Sequence, residues 1–130
     1  MNKEVGLDQA INGLSVFMAY MKQAYDTAHP NGTDGNLYKG LIKEEFLELM
    51  AEKSGTVKDF KEALDNWWVD TYYFFEQKYP IVDGIRELCM EFNSKFYNDG
   101  KFNPKYREDG KIMKGNGFRK GNYEQFFEEK

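Results

Sequence analysis

The chain has 130 residues, 41% hydrophobic, 17% aromatic and 31% charged, which excludes a disordered chain and allows a core without disulfides or a structural metal. Eighteen basic against 22 acidic side chains leave a net charge of −4, which does not favour a dedicated DNA or RNA binder. One cysteine, Cys89, cannot close an internal disulfide, no apolar run approaches the ~20 residues of a membrane span, and the acidic start is no signal peptide, so a cytoplasmic setting is expected.

Four helices are predicted in chain order. From Leu7 to Ala28, the apolar residues Ile11, Leu14, Met18, Met21 and Tyr25 recur in steps of three and four, one stripe of a helix. His29-Pro30-Asn31-Gly32 and Asp34-Gly35 break the chain, and a second helix follows from Leu37 to Lys53 with Ile42, Phe46, Leu49 and Met50 as its apolar face. Ser54-Gly55-Thr56 ends it and offers an N-cap to a third helix, Val57 to Lys78. Here Phe60, Leu64, Trp67, Thr71, Phe74 and Phe75 make one face, and Val69, Tyr72 and Tyr73 lie nearly opposite. A helix apolar on two sides is enclosed by neighbours or lies at a subunit interface. A fourth helix starts near Pro80, carries Ile81, Ile85, Leu88, Phe92 and Phe96 inward, and stops at Asn98-Asp99-Gly100. Residues 100–122 read as irregular, and a short helix from Tyr123 to Glu129 closes the chain. The expectation is a single all-α domain over 1–130, a four-helix bundle with a helical core at about 5–98 and a basic arm at about 99–122.

Charge is segregated along this plan. Residues 1–100 hold 10 basic against 17 acidic groups, whereas residues 101–120 hold 7 (Lys101, Lys105, Arg107, Lys111, Lys114, Arg119, Lys120) against 2. Within the acidic part, Glu45 and Glu48 share one helical face, Glu44 stacks four before Glu48, and Glu62 and Asp65 pair on the next helix. Antiparallel neighbours could bring both pairs to one spot, where uncompensated carboxylates repel. A hard divalent cation relieves that repulsion, and an all-oxygen set selects Mg²⁺ or Mn²⁺ over zinc. Against this stands the plain alternative of glutamates on a wet helix surface, although acids set among Leu41, Val69, Tyr72 and Tyr73 need a partner.

These segments resemble the all-α nucleoside triphosphate pyrophosphohydrolases, the MazG-like group. The likeness lies in the EExxE of Glu44, Glu45 and Glu48, then the ExxD of Glu62 and Asp65. It continues in Asn93-Ser94-Lys95 and in Tyr106-Arg107-Glu108-Asp109-Gly110-Lys111 with Lys114-Gly115, covering most of residues 37–118. Lys61 departs from it, standing where many members carry a further acid, and Asn116-Gly117 replaces a common proline-asparagine pair, which implies a more mobile tail.

The resemblance implies Mg²⁺-dependent cleavage of a (d)NTP between the α and β phosphates, to monophosphate and pyrophosphate, with a deoxynucleotide preferred. It assigns Glu45, Glu48, Glu62 and Asp65 to metal, makes Glu44 a further ligand or water-orienting group, and lets Glu45 act as base. Lys95, Lys111 and Lys114 would hold phosphate oxygens as point charges and Arg107 bidentately, while Asn93 would meet a base edge or sugar hydroxyl, or simply end its helix. Phosphoribosyl-ATP hydrolysis and a non-catalytic metal-binding helical oligomer are the alternatives. Phe17, Tyr20, Trp67 and Trp68 could stack on a base, with Trp67 expected in the core, Cys89 a small core residue and His29 structural or exposed. A homodimer or homotetramer is expected, with no nucleic-acid or membrane partner.

Overall fold

A computed structural model describes residues 6–127. Its described part is all-α in architecture: α1 Leu7–Ala28, α2 Leu37–Ala51, α3 Val57–Gln77 and α4 Ile81–Ser94, with a two-stranded antiparallel pair, β1 Tyr97–Asn98 and β2 Lys101–Phe102. None of these helices is long and apolar enough to cross a membrane. Contacts gather the described residues into two compact units, one of residues 12–79 and one joining residues 6–11 to residues 80–127.

In the first unit the predicted α1 stripe holds, with Met18, Met21 and Tyr25 buried. Tyr25 is the hub: its ring lies 5.9 Å from Tyr38 of α2 and 5.4 and 5.8 Å from Tyr72 and Phe75 of α3. Mutually tilted rings of this kind bring each electron-poor edge to an electron-rich face. His29 is structural, its Nε2 2.7 Å from the Tyr38 hydroxyl.

A carboxylate closes the same end. Asn36 precedes α2 without a side-chain cap, and Glu76 in the last turn of α3 takes its place, accepting from the Tyr38 amide at 3.2 Å and from the Thr33 hydroxyl at 2.6 Å. An anion at a helix start satisfies an orphan N–H and meets the positive end of the helix dipole. The start of α2 therefore lies beside the end of α3, and the two run antiparallel. Their other ends are joined through Gly55, at φ +84°, and a reciprocal cap in which Thr56 accepts from the Asp59 amide and Asp59 from the Gly55 amide. The expected N-cap at Thr56 is thus present.

The burial pattern corrects several expectations. Phe46 and Met50 on α2 are exposed, as are Phe60, Leu64 and Trp67 on α3 and Leu88 and Phe92 on α4; Trp67 is not a core residue within one chain. Cys89 is exposed as well. Periodicity identifies an apolar stripe but not which stripe has a neighbour to cover it. On α3, α1 covers the C-terminal half, where Thr71, Tyr72 and Phe75 are buried, and leaves the N-terminal half open.

The second unit is better knit than the sequence suggests. Helix α4 ends at Ser94, not at Asn98, because Asp99 (φ 53°) and Gly100 (φ 76°) form a two-residue hairpin turn between β1 and β2. Two successive positive φ values are the hairpin geometry that Asp-Gly favours. A second turn pairs Tyr106 with Ile112. The segment that follows packs back onto the first hairpin: Gly115 and Gly117 donate to the Lys95 and Tyr97 carbonyls, and Asn116 exchanges 2.7 Å hydrogen bonds with Asp99. Glu91 and Glu87 of α4 then accept from the Gly121 and Asn122 amides. The Asn116-Gly117 pair read as a source of mobility is therefore the point at which the tail is tied. The expected closing helix is one short 3₁₀ turn, Glu124–Phe126, and the rest of that prediction falls outside the described residues.

Two outcomes follow. Glu76→Ala removes the anion from the start of α2 and leaves the Thr33 hydroxyl unpaired, so urea unfolding should show a loss of about 1–2 kcal/mol. Gly115→Ala drives a methyl into the Tyr97 carbonyl oxygen, and stability should fall by about 1–3 kcal/mol with faster proteolysis within residues 97–120.

Candidate metal centre

The antiparallel register fixes what the acids can reach. Ten residues separate Tyr38 from Glu48 on α2, and ten separate Asn66 from Glu76 on α3. Equal rises of about 15 Å put Glu48 level with Asn66, and Glu45 and Glu62 within about a turn of that level. Among the described residues, Glu45, Glu48 and Glu62 each offer a carboxylate oxygen within 4.8 Å of the others. Three of the four metal ligands named from the sequence are thereby brought together.

The environment of this trio is unfavourable for bare charge. Glu45 and Glu62 are half-buried, and each has one oxygen, Oε2, shut off from solvent without a hydrogen bond. Burial, then a hydrogen bond with Glu48 and the charges of Glu48, Asp65 and Glu52, pushes the Glu62 carboxyl above the ordinary carboxylate range. An unpartnered buried carboxylate oxygen costs stability unless a cation or donor meets it. The donor set, all oxygen and converging from two helices, fits Mg²⁺ or Mn²⁺.

Asp65 stands apart from the trio. It is half-buried and paired with Lys61 one turn back, while its charge still acts on Glu62. Lys61 in turn is held above its ordinary range, first by the hydrogen bond to Asp65, and also by the charges of Glu62 and Glu45. Lys61 is thus a resident cation beside the acids. Glu44 is exposed and outside the trio.

One group escaped the sequence reading. Asn66, one helical turn after Glu62, has its carbonyl oxygen buried and unpartnered. Its signal was the Glu62-x-x-x-Asn66 spacing, hidden behind the more familiar Glu62-x-x-Asp65. A further turn on, Asp70 is half-buried and raised by burial.

The remaining site candidates belong to the other unit. Asn93 is exposed in the last turn of α4 and its carbonyl accepts from the Phe96 amide. Lys95 and Lys114 lie 4.9 and 4.8 Å over the rings of Phe92 and Phe118, Lys111 is exposed, and the Arg107 fork is engaged with Asp109. That pair is solvent-exposed and contributes little to stability, so it is exchangeable for another anion.

No known family model matches the chain, and no curated protein or solved structure matches it either.

The raised Glu62 carboxyl has a pH consequence. A folded-state pKa above the unfolded one means that the folded chain holds extra protons, so in EDTA the melting temperature should fall as pH rises through the carboxylate range towards neutrality. Added Mg²⁺ should reverse the fall, more strongly at higher pH, and Glu62→Gln should flatten the trend in EDTA. Differential scanning fluorimetry across pH reads all three.

Proposed function

We propose that this protein is a Mg²⁺-dependent nucleoside triphosphate pyrophosphohydrolase, splitting a (d)NTP between its α and β phosphates into monophosphate and pyrophosphate. The observation that carries the reading is the convergence of Glu45, Glu48 and Glu62 from two helices, with two of their oxygens buried and unpartnered. The resemblance of Glu44-Glu45-x-x-Glu48, Glu62-x-x-Asp65, Asn93-Ser94-Lys95 and the Tyr106–Gly115 segment to the MazG-like group supports it from the sequence.

In this reading Glu45, Glu48 and Glu62 would hold the cation, and Asp65, paired with Lys61, is the fourth acid that the resemblance assigns to it. Bound there, Mg²⁺ supplies charge neutralisation to the phosphates and acidity to a water. Glu45 is the general base: half-covered, with an unsatisfied oxygen, it can accept the proton of the attacking water as the α–β linkage breaks and pyrophosphate departs. Glu44, exposed and one residue away, orients that water. The exposed Lys111, with Lys95 and Lys114, is assigned to phosphate oxygens, Arg107 to the same role after release from Asp109, and Asn93 to the base or sugar. A deoxynucleotide is the preferred substrate by resemblance.

A pyrophosphate-release assay over a panel of ribo- and deoxynucleotides with Mg²⁺ or Mn²⁺ tests the reading. One pyrophosphate per nucleotide is expected. Glu48→Gln should slow turnover roughly 100-fold or more, about 2.7 kcal/mol of barrier, with the helical circular dichroism unchanged. Normal turnover in that variant would remove the metal assignment. Stepwise release of single phosphates would replace the reaction class, and absence of any release would favour a binding protein.

A further inference from the structure

Among the described residues of the unit spanning 12–79, three side-chain oxygens are shut off from solvent without a hydrogen bond: Oε2 of Glu45, Oε2 of Glu62 and Oδ1 of Asn66. The first two belong to the acidic trio. Asn66 follows Glu62 by four residues, so the two share one face of α3 with Cβ atoms about 5–6 Å apart. The register set by Glu76 on the Tyr38 amide puts Asn66 level with Glu48. All four side chains belong to α2 and α3, which a capped turn joins directly, so the arrangement lies within one unit.

A buried oxygen without a partner costs stability, and native structures hold few of them. Three in one place, all acceptors, call for a positive partner that meets them together. A single N–H or O–H satisfies one oxygen, whereas an octahedral ion such as Mg²⁺ gathers several. A further carboxylate there would add repulsion, but an amide oxygen adds a ligand of the right hardness with no charge. The neighbouring acid, Asp65, is held by Lys61, while the Asn66 oxygen is engaged by nothing.

We infer that the Asn66 carbonyl is a ligand of the same cation as Glu45, Glu48 and Glu62, the neutral oxygen of an otherwise anionic set. This rests on the metal reading of the trio proposed above, and not on the reaction assigned to it. Mn²⁺ titration of the full chain, read by the paramagnetic resonance of the free ion, tests it together with scanning fluorimetry in EDTA and in Mg²⁺. Asn66→Leu should bind Mn²⁺ about 10-fold or more weakly. Its melting temperature in EDTA should stay level or rise, because the orphaned oxygen is gone, and Mg²⁺ should raise it less than in the parent chain. A residue that only supports the fold gives the reverse, a lower melting temperature in EDTA with Mn²⁺ affinity unchanged. An amide turned with its NH₂ towards the acids gives that same result, and it overturns the inference. Should Asn66→Leu fail to fold, Asn66→Asp replaces it: a fourth carboxylate should tighten Mn²⁺ binding and lower the melting temperature in EDTA at neutral pH, and unchanged or weaker binding overturns the inference. A parent chain that binds no Mn²⁺ removes the metal reading and this ligand together, whereas a parent and an Asn66→Leu variant that bind equally well remove the ligand alone. Mn²⁺ binding with the expected losses but no pyrophosphate release removes the reaction and leaves the ligand standing.

Discussion

The placement of α2 against α3 rests on one contact, the Glu76 carboxylate seated on the start of α2. It fixes the antiparallel register of α2 against α3, and every placement of an acid follows from that register. A slip of one residue on either helix would rotate a side chain by about 100° and scatter the three glutamates. The aromatic group around Tyr25 supports the contact from the α1 side, so a polar cap and an apolar cluster specify the same geometry. Agreement between independent local preferences is what gives a chain one native arrangement.

Charge balance is the second constraint. Glu62 sits where burial and the neighbouring Glu48, Asp65 and Glu52 oppose its ionisation, with Lys61 as the nearby cation that is already engaged with Asp65. Protonation or a bound cation would each relieve Glu62, so either would be linked to the stability of the helix pair around it.

Much of this was legible in the residues. All four helices were visible in periodicity and breakers, and α1 kept both its ends, because Leu7 and the His29-Pro30 turn are strong local signals. The acids were legible as i, i+3 pairs, and two helices joined by a short capped turn could hardly avoid bringing them near one another. What escaped depends on partners distant in sequence. Glu76 carries no local signal of its role, since nothing near it in sequence shows that Asn36 leaves α2 uncapped. Asp99-Gly100 reads in sequence as a helix stop and is a hairpin turn, and the two strands it joins are too short to show alternation. Trp67 reads as core from its stripe and is exposed, because a stripe does not show whether a neighbour covers it.

The folded basic segment has a thermodynamic consequence of its own. Gly115 and Gly117 lie against the backbone of Tyr97, and Asn116 is bonded to Asp99, so the loops bearing Lys111 and Lys114 are held in place by the protein's own folding. An anion bound there would be spared the entropy of arranging a floppy tail, and its affinity would reflect contact alone. Binding to such a preformed surface is expected to show a small heat-capacity change, unlike the large one that accompanies coupled folding.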